Sequence, residues 1–135
     1  MKNVRVLALL TAVVFLFIRC TPDQDYISNT KEIISQGKWS VDYYFSGQNK
    51  TAQYTNFQFT FSLNGTVSCT DGTQSFNGSW AMTRDVNRND VLLINMSNQQ
   101  PNITQLNAQW NVTNQSTSLV DMTSGGSAEI RFKKL

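Results

Sequence analysis

The sequence predicts an all-β domain, an eight-stranded antiparallel up-and-down barrel, preceded by one short helix. From Trp39 onward, apolar residues recur at every second position in run after run, which is the period of a strand with one buried face. Short turns rich in Gly and Asn separate these runs, as in an antiparallel meander. Because closure removes the exposed edges of such a meander, we expect a barrel, with a two-sheet sandwich as the alternative.

The helix is predicted directly before the first strand. Asn29 and Glu32 have the spacing of a capping box, and Ile33 and Ile34 supply an apolar patch. Gly37 is then expected to end the helix, because a left-handed conformation costs glycine little. After Gly37 the apolar period changes from helical to two.

Eight apolar series mark the strands, and short turns join them. The clearest turns are Asn64-Gly65, Asp71-Gly72 and Gly125-Gly126. An eight-stranded barrel has an interior that side chains fill or that holds one small ligand. The series are, in chain order, Trp39, Val41, Tyr43, Phe45; Phe57, Phe59, Phe61, Leu63; Thr66 to Thr70; Phe76, Gly78, Trp80, Met82; Val91 to Met96; Leu106, Ala108, Trp110, Val112; Ser118 to Met122; and Ala128, Ile130, Phe132.

The first twenty residues have the composition of an export signal. Lys2 and Arg5 precede an apolar run from Val6 to Ile18, which is shorter than the ~20 residues of a transmembrane helix. Cys20 follows at once and is predicted to be acylated, as in a bacterial lipoprotein. Arg19 is bulky where such signals carry a small residue, so an uncleaved short anchor is the alternative.

The chain therefore divides into three parts. Residues 1–19 are expected to be the export signal, residues 20–28 the lipidated cysteine with a polar tether, and residues 29–135 the barrel domain. Acyl chains such as palmitate would hold the protein to a membrane. We therefore expect a lipid-anchored protein of the bacterial cell envelope, on a membrane face that the sequence leaves open.

Composition argues against several classes of function. Eleven basic and nine acidic residues give a net charge of +2, which supplies no electrostatic case for nucleic acid. The sequence holds no histidine, the commonest general base and metal ligand. It also has no Gly-rich phosphate loop and no paired carboxylates. We predict that the protein is not an enzyme and carries no cofactor.

Two local features have ordinary structural interpretations. The segment 85–90 resembles the opening of a calcium loop, but Asp90 stands where that loop needs Gly, so no metal is expected. Cys69 shares parity with Val67 and is predicted to be a buried thiol. A disulfide between Cys20 and Cys69 is the rival, and it would exclude acylation.

The order of motifs resembles a known family. Gly37-Lys38-Trp39, at the start of the first strand, resembles the Gly-x-Trp signature of the lipocalins. Together with Gly78-Ser79-Trp80 and Trp110, it is similar to the small exported lipocalin-like proteins of the Bacteroidota. The resemblance implies that Trp39 packs across the closed end of the barrel, near an Arg of the last strand. Arg131 is the candidate, although its parity predicts an outward side chain unless the strand bends.

Aromatic residues on the inward faces have two interpretations. They can line an apolar cavity, with the hydroxyl of Tyr43 as a polar handle, or they can fill the barrel. On the first, the protein binds a small lipophilic ligand in its barrel, which is the function we expect. On the second, it is a non-catalytic envelope lipoprotein that contacts a protein or a glycan through its outer face and the loops at 46–50 and 97–105. The residues of the predicted site are Tyr43, Phe59, Phe61, Trp80 and Trp110.

Overall fold

The structure is a computed structural model that describes residues 29–97 and 100–135. The predicted export signal, Cys20 and the tether, all within residues 1–28, lie outside the described residues. A short 3-10 helix spans Thr51–Tyr54. The other elements are α1 (Asn29–Ile34), β1 (Trp39–Ser46), β2 (Gln58–Phe61), β3 (Thr66–Thr70), β4 (Ser75–Arg84), β5 (Asp90–Met96), α2 (Pro101–Thr104), β6 (Ala108–Gln115), β7 (Leu119–Ser124) and β8 (Ala128–Lys134).

The eight strands form one closed sheet in which each strand pairs antiparallel with the next and β8 pairs with β1. The predicted all-β class and up-and-down barrel with a short N-terminal helix are confirmed, and the sandwich is excluded. Because the chain direction alternates, the connections lie at two ends. The α1 end holds the start of β1, the end of β8 and the β2–β3, β4–β5 and β6–β7 turns. The α2 end holds the other four connections.

The α1 helix closes the end of the barrel at which β1 begins. Gly37 adopts a φ of +86°, the left-handed conformation predicted for the residue that follows the helix. The chain then turns back so that the indole N–H of Trp39 donates to the carbonyl of Ile34 at 2.8 Å. Ile34 and Trp39 are both fully buried, so the helix and the first strand share one core.

The opposite end is covered by the 3-10 helix and α2. The hydroxyl of Tyr54 donates to the carbonyl of Asn102 at 2.5 Å and joins the two segments. Ile103 and Leu106 are fully buried beneath them. The sequence predicted only a long loop here; the helix begins at Pro101, whose ring favours the first helical position.

A β-bulge in β1 changes which tyrosine faces inward. The register with β8 shifts between Val41 and Tyr43, which leaves Asp42 as the extra residue. Beyond the bulge Tyr44 is buried, 2% exposed, and Tyr43 lies on the outer face. The prediction that Tyr43 faces the interior is therefore wrong. A second bulge, between Val112 and Asn114 in β6, has the same form.

The second strand is shorter than the alternation predicts. Leu63 continues the apolar series of Phe59 and Phe61, but β2 ends at Phe61 and the chain turns at once. The side chain of Leu63 is 65% exposed instead of inward. Gly65, with a φ of +87°, takes the left-handed position of this turn, so turn geometry outweighs the burial of one leucine.

Candidate functional site

Four of the five residues predicted to line the barrel face its interior. Phe59, Phe61, Trp80 and Trp110 are 0–5% exposed. The fifth, Tyr43, lies outside because of the bulge, and Tyr44 occupies the inward position. Sequence parity could not identify Tyr44, since the bulge carries no compositional mark.

The interior aromatic rings pack on one another. Phe61 contacts Trp80 with ring centroids 5.5 Å apart and Phe132 with centroids 5.6 Å apart, both edge to face. At the other end Tyr44 contacts Trp110 at 6.3 Å. Such pairs contribute beyond their buried area. The continuous network of rings runs through Trp80, Phe61, Phe132, Phe59, Phe57, Tyr54, Tyr44 and Trp110, with Phe76 packed on Phe57.

Polar groups in this network are already paired with backbone. The indole N–H of Trp80 donates to the Ser62 carbonyl at 2.8 Å, and that of Trp110 to the Leu106 carbonyl at 2.9 Å. The hydroxyl of Tyr44 reaches the Gln105 carbonyl at 3.4 Å. Burial raises the pKa of Tyr44 and of Tyr54. Within the described residues every buried side-chain nitrogen or oxygen has a hydrogen-bond partner in the protein, so none of them requires a polar group from a ligand.

The cation beside the signature tryptophan is a lysine. Nζ of Lys134 lies 6.0 Å from the centroid of the Trp39 ring, within cation–π range. Arg131 instead lies on the outer face, with its side chain 44% exposed. The arrangement implied by the lipocalin resemblance, with Arg131 near Trp39, is therefore not the one this chain adopts. The outward side chain that alternation predicts for Arg131 is the one observed.

Arg131 is the centre of an ion-pair cluster on the outer face. Its Nε donates to Oδ1 of Asp121 at 2.5 Å, and its Nη1 lies 3.9 Å from Oδ2 of Asp42. The bond to Asp121 and the charge of that carboxylate raise the pKa of Arg131. Tyr43 stands beside Arg131 in the register of β1 and β8. Charged residues at outward parity on strands that a barrel must bring together were the sequence signal for this cluster.

The cluster lines a groove of about 460 Å³ across β6, β7, β8 and β1. Both bulges lie beside it, since Tyr43 and Thr113 are among its walls. Bulges re-aim side chains and are common next to functional sites. The groove's walls are Tyr43, Thr113, Asp121, Met122, Thr123, Glu129, Ile130 and Arg131.

A second outer groove, of about 540 Å³, lies across β4, β5 and β6. Ala81, Leu93 and Ala108 give it a more apolar lining than the first. Ala81 and Leu93 are paired in the sheet register, and the small side chain of Ala81 leaves space beside Leu93 on the outer face.

The two remaining sequence features have structural roles. Cys69 is a free thiol, 2% exposed, and burial raises its pKa to about 12. In the β4–β5 turn Oδ1 of Asp85 accepts the N–H groups of Asn87 and Asn89, each at 2.8 Å. In the described part of the chain no group of His, Cys, Asp and Glu is arranged to hold a metal ion. None of the helices described there has the length and hydropathy of a membrane span.

The fold places the chain among closed, eight-stranded antiparallel β-barrels with a capping N-terminal helix. One solved structure, described as a DUF4847 family protein from Bacteroides vulgatus, is similar to it with a TM-score of 0.55 and 17% sequence identity. The match covers 78% of this chain and 97% of that one, and at this identity it establishes the fold alone. No model of a protein family matches the chain, and no curated protein matches it.

Proposed function

We propose that the protein is a lipid-anchored, lipocalin-like envelope protein that works as a non-catalytic interaction module with a packed barrel. Its contacts with a protein or a glycan are made through the outer face. The observation that carries the proposal is the continuous ring network, in which the inward residues contact one another. The sequence alone favoured a small lipophilic ligand in the barrel, and this ring packing reverses that preference.

The two ends of the barrel also favour a packed interior over a ligand cavity. The α1 helix covers one end beneath Trp39, and α2 with the 3-10 helix covers the other. A ligand would have to displace these segments and break the bonds of Tyr44 and Tyr54 to the backbone of α2 and Gln105. The outer groove at Arg131 needs no such opening, and its charges, hydroxyls and one aromatic ring suit a polar partner.

Trp80→Ala tests the packed interior. We expect it to lower the free energy of unfolding by roughly 3–5 kcal/mol, because a cavity replaces a ring in contact with Phe61. Urea unfolding measures the change. Leu63→Ala is the matched control and should change stability by less than about 0.5 kcal/mol, because that side chain is 65% exposed. Stability unchanged by Trp80→Ala would favour a hollow barrel instead.

Native mass spectrometry of protein purified from its own host tests the rival function directly. The proposal expects the bare mass before and after organic extraction. A stoichiometric small molecule that extraction removes would establish ligand binding in its place.

Contact through the outer groove is tested by photo-crosslinking in the host. A photoreactive residue at Tyr43, beside Arg131, should give discrete adducts. The same residue at Asn77, which is exposed on β4 away from the groove, is the control. Equal labelling from both positions, or none from Tyr43, would contradict the proposed contact site.

The anchor rests on the sequence motif that ends at Cys20. Radioactive palmitate should label the wild-type protein and leave Cys20→Ser unlabelled. Equal label in both proteins would eliminate the lipid anchor while leaving the outer-face proposal standing.

A further inference from the structure

The large apolar side chains that the described residues expose are gathered at one end of the barrel. Leu63 is 65% exposed on the β2–β3 turn, Val86 is 98% exposed on the β4–β5 turn, and Leu135, 65% exposed, follows β8. By the alternation of the meander, all three positions belong to the α1 end. Three apolar tips on separate segments therefore point from the same end of the molecule.

The two turns that present these tips are firmly held. In the first, Oδ1 of Asn64 accepts both the N–H and the hydroxyl of Thr66, at 3.0 and 2.8 Å. In the second, Asp85 accepts two backbone N–H groups and the side-chain amide of Asn89. Leu63 and Val86 are thus displayed on ordered turns, so little conformational freedom is lost if they are buried on contact.

The charged residues are also distributed unevenly between the α1 end and the rest of the barrel. Away from the α1 end, the cations Lys50 and Arg131 are outnumbered by the acids Asp42, Asp71, Asp121 and Glu129. At the α1 end the acids are Glu32, Asp85 and Asp90. The basic residues of that end are Lys31, Lys38, Arg84, Arg88, Lys133 and Lys134. The α1 end is therefore positive and the remainder of the described barrel is negative.

The chain also enters the described structure at this end. The hydroxyl of Thr30, in α1, donates to Oδ2 of Asp90 at 2.7 Å and lies against the side-chain oxygen of Gln115. This fixes the start of the helix to the rim formed by β5 and β6. Only eight residues separate Cys20 from Asn29, a reach of at most about 30 Å. An anchor at Cys20 would hold the α1 end close to the bilayer.

We propose that the α1 end is a membrane-contact surface, in which Leu63 and Val86 enter the headgroup region of an anionic bilayer while the exposed cations Lys38, Arg88 and Lys133 meet lipid phosphates. The inference rests on the proposed anchor and adds an orientation to it. The α2 end then faces away from the membrane, and the outer groove lies on the side wall of the barrel between the two ends. Apolar tips ringed by cations are the composition of an interfacial membrane site.

The test uses full-length protein reconstituted through its anchor into vesicles of phosphatidylethanolamine and phosphatidylglycerol. A fluorophore sensitive to its environment is attached at Val86→Cys, and at Thr73→Cys on the exposed β3–β4 turn of the opposite end as the matched control. Cys69 is buried, and an acylated Cys20 offers no thiol. We expect a blue-shifted emission at position 86 that headgroup-labelled nitroxide lipid quenches, and neither effect at position 73.

A charge reversal supplies the second readout. In the Val86→Cys background, Lys133→Glu should lower the ratio of docked to undocked protein by roughly 30-fold, because each cation near an anionic surface contributes roughly fivefold and the change removes one and adds an anion. Lys50→Glu, the matched reversal at the α2 end, should leave the ratio unchanged. Phosphatidylcholine vesicles should mimic Lys133→Glu.

The outcomes separate the two proposals. Protein that fails to float with the vesicles would refute the anchor. Protein that floats but gives the same emission and quenching at positions 86 and 73, or the same ratio for Lys133→Glu and Lys50→Glu, would overturn the membrane-contact surface alone.

Discussion

Tyr43 and Tyr44 are neighbours in sequence with opposite environments. Tyr44 is 2% exposed and contacts the rings of Tyr54 and Trp110, with the first pair of centroids 5.2 Å apart. Tyr43 lies on the outer face beside Arg131. We expect Tyr44→Ala to cost about 3 kcal/mol or more of unfolding free energy and Tyr43→Ala less than about 1 kcal/mol.

Urea unfolding of the two variants measures this difference, and each serves as the other's control. Equal losses, or the reverse order, would mean that β1 lacks the bulge at Asp42 and keeps simple alternation through Phe45. The comparison therefore tests a backbone feature by way of two side chains.

The alternation of side chains explains which inward and outward residues could be predicted from the sequence. Parity placed Phe59, Phe61, Trp80 and Trp110 inward and Arg131 outward, because side chains alternate strictly along a regular strand. It failed at Tyr43, since one inserted residue inverts parity. Lys134 was not recognised as the cation on Trp39, because that contact depends on where β8 ends against β1.

The longer elements were predicted from the sequence better than the shortest one. The order of eight strands and the closed meander followed from alternation and turn dipeptides, and α1 from its capping residues and Gly37. The four-residue helix α2 did not, because one turn is too short to show a helical period. Its burial of Ile103 and Leu106 is a tertiary effect that becomes visible only once the barrel end exists.

The β3–β4 turn depends on one carboxylate. Oδ1 of Asp71 accepts the N–H of Gln74 at 2.7 Å and both the N–H and the hydroxyl of Thr73, at 2.9 and 2.8 Å. These bonds, the first above all, lower the pKa of Asp71 below its ordinary 3.8. A lowered carboxyl pKa gives stability that is present above the ordinary value and lost as the pH falls through the folded-state value.

Asp71→Asn should therefore lower the melting temperature at pH 7, and the difference from wild type should be smaller at about pH 2, because the charge is lost as the pH falls through the folded-state pKa of the carboxyl. Thermal unfolding followed by circular dichroism at the two pH values measures it. Asp71→Ala, which also removes the acceptor, should remain less stable at both. A constant deficit for Asp71→Asn would show that the charge contributes nothing.

The interior of the barrel and its outer surface differ in what they contain. The interior is one aromatic core that runs between two covered ends, whereas the grooves at Arg131 and Leu93 lie outside it. The charge imbalance between the α1 end and the rest adds a direction to this otherwise closed barrel. The proposed function needs such a barrel with an oriented surface, because it presents contacts on the outside and does not have to open.

The thiol of Cys69 reports on whether this core opens as one unit. It is 2% exposed, and burial, with a smaller effect of the nearby Asp71 charge, raises its pKa to about 12. At pH 8 a thiol reagent therefore meets neither an accessible sulfur nor a thiolate.

In a Cys20→Ser background we expect native Cys69 to react roughly a thousandfold or more slowly than unfolded protein, at a rate that follows global unfolding in a denaturant series. Thr73→Cys, exposed on the adjacent turn, should react at once and serves as the control. Rapid labelling of Cys69 without denaturant would mean that the core between β2, β3 and β4 opens locally, and such an opening is the access that a ligand-carrying barrel would require.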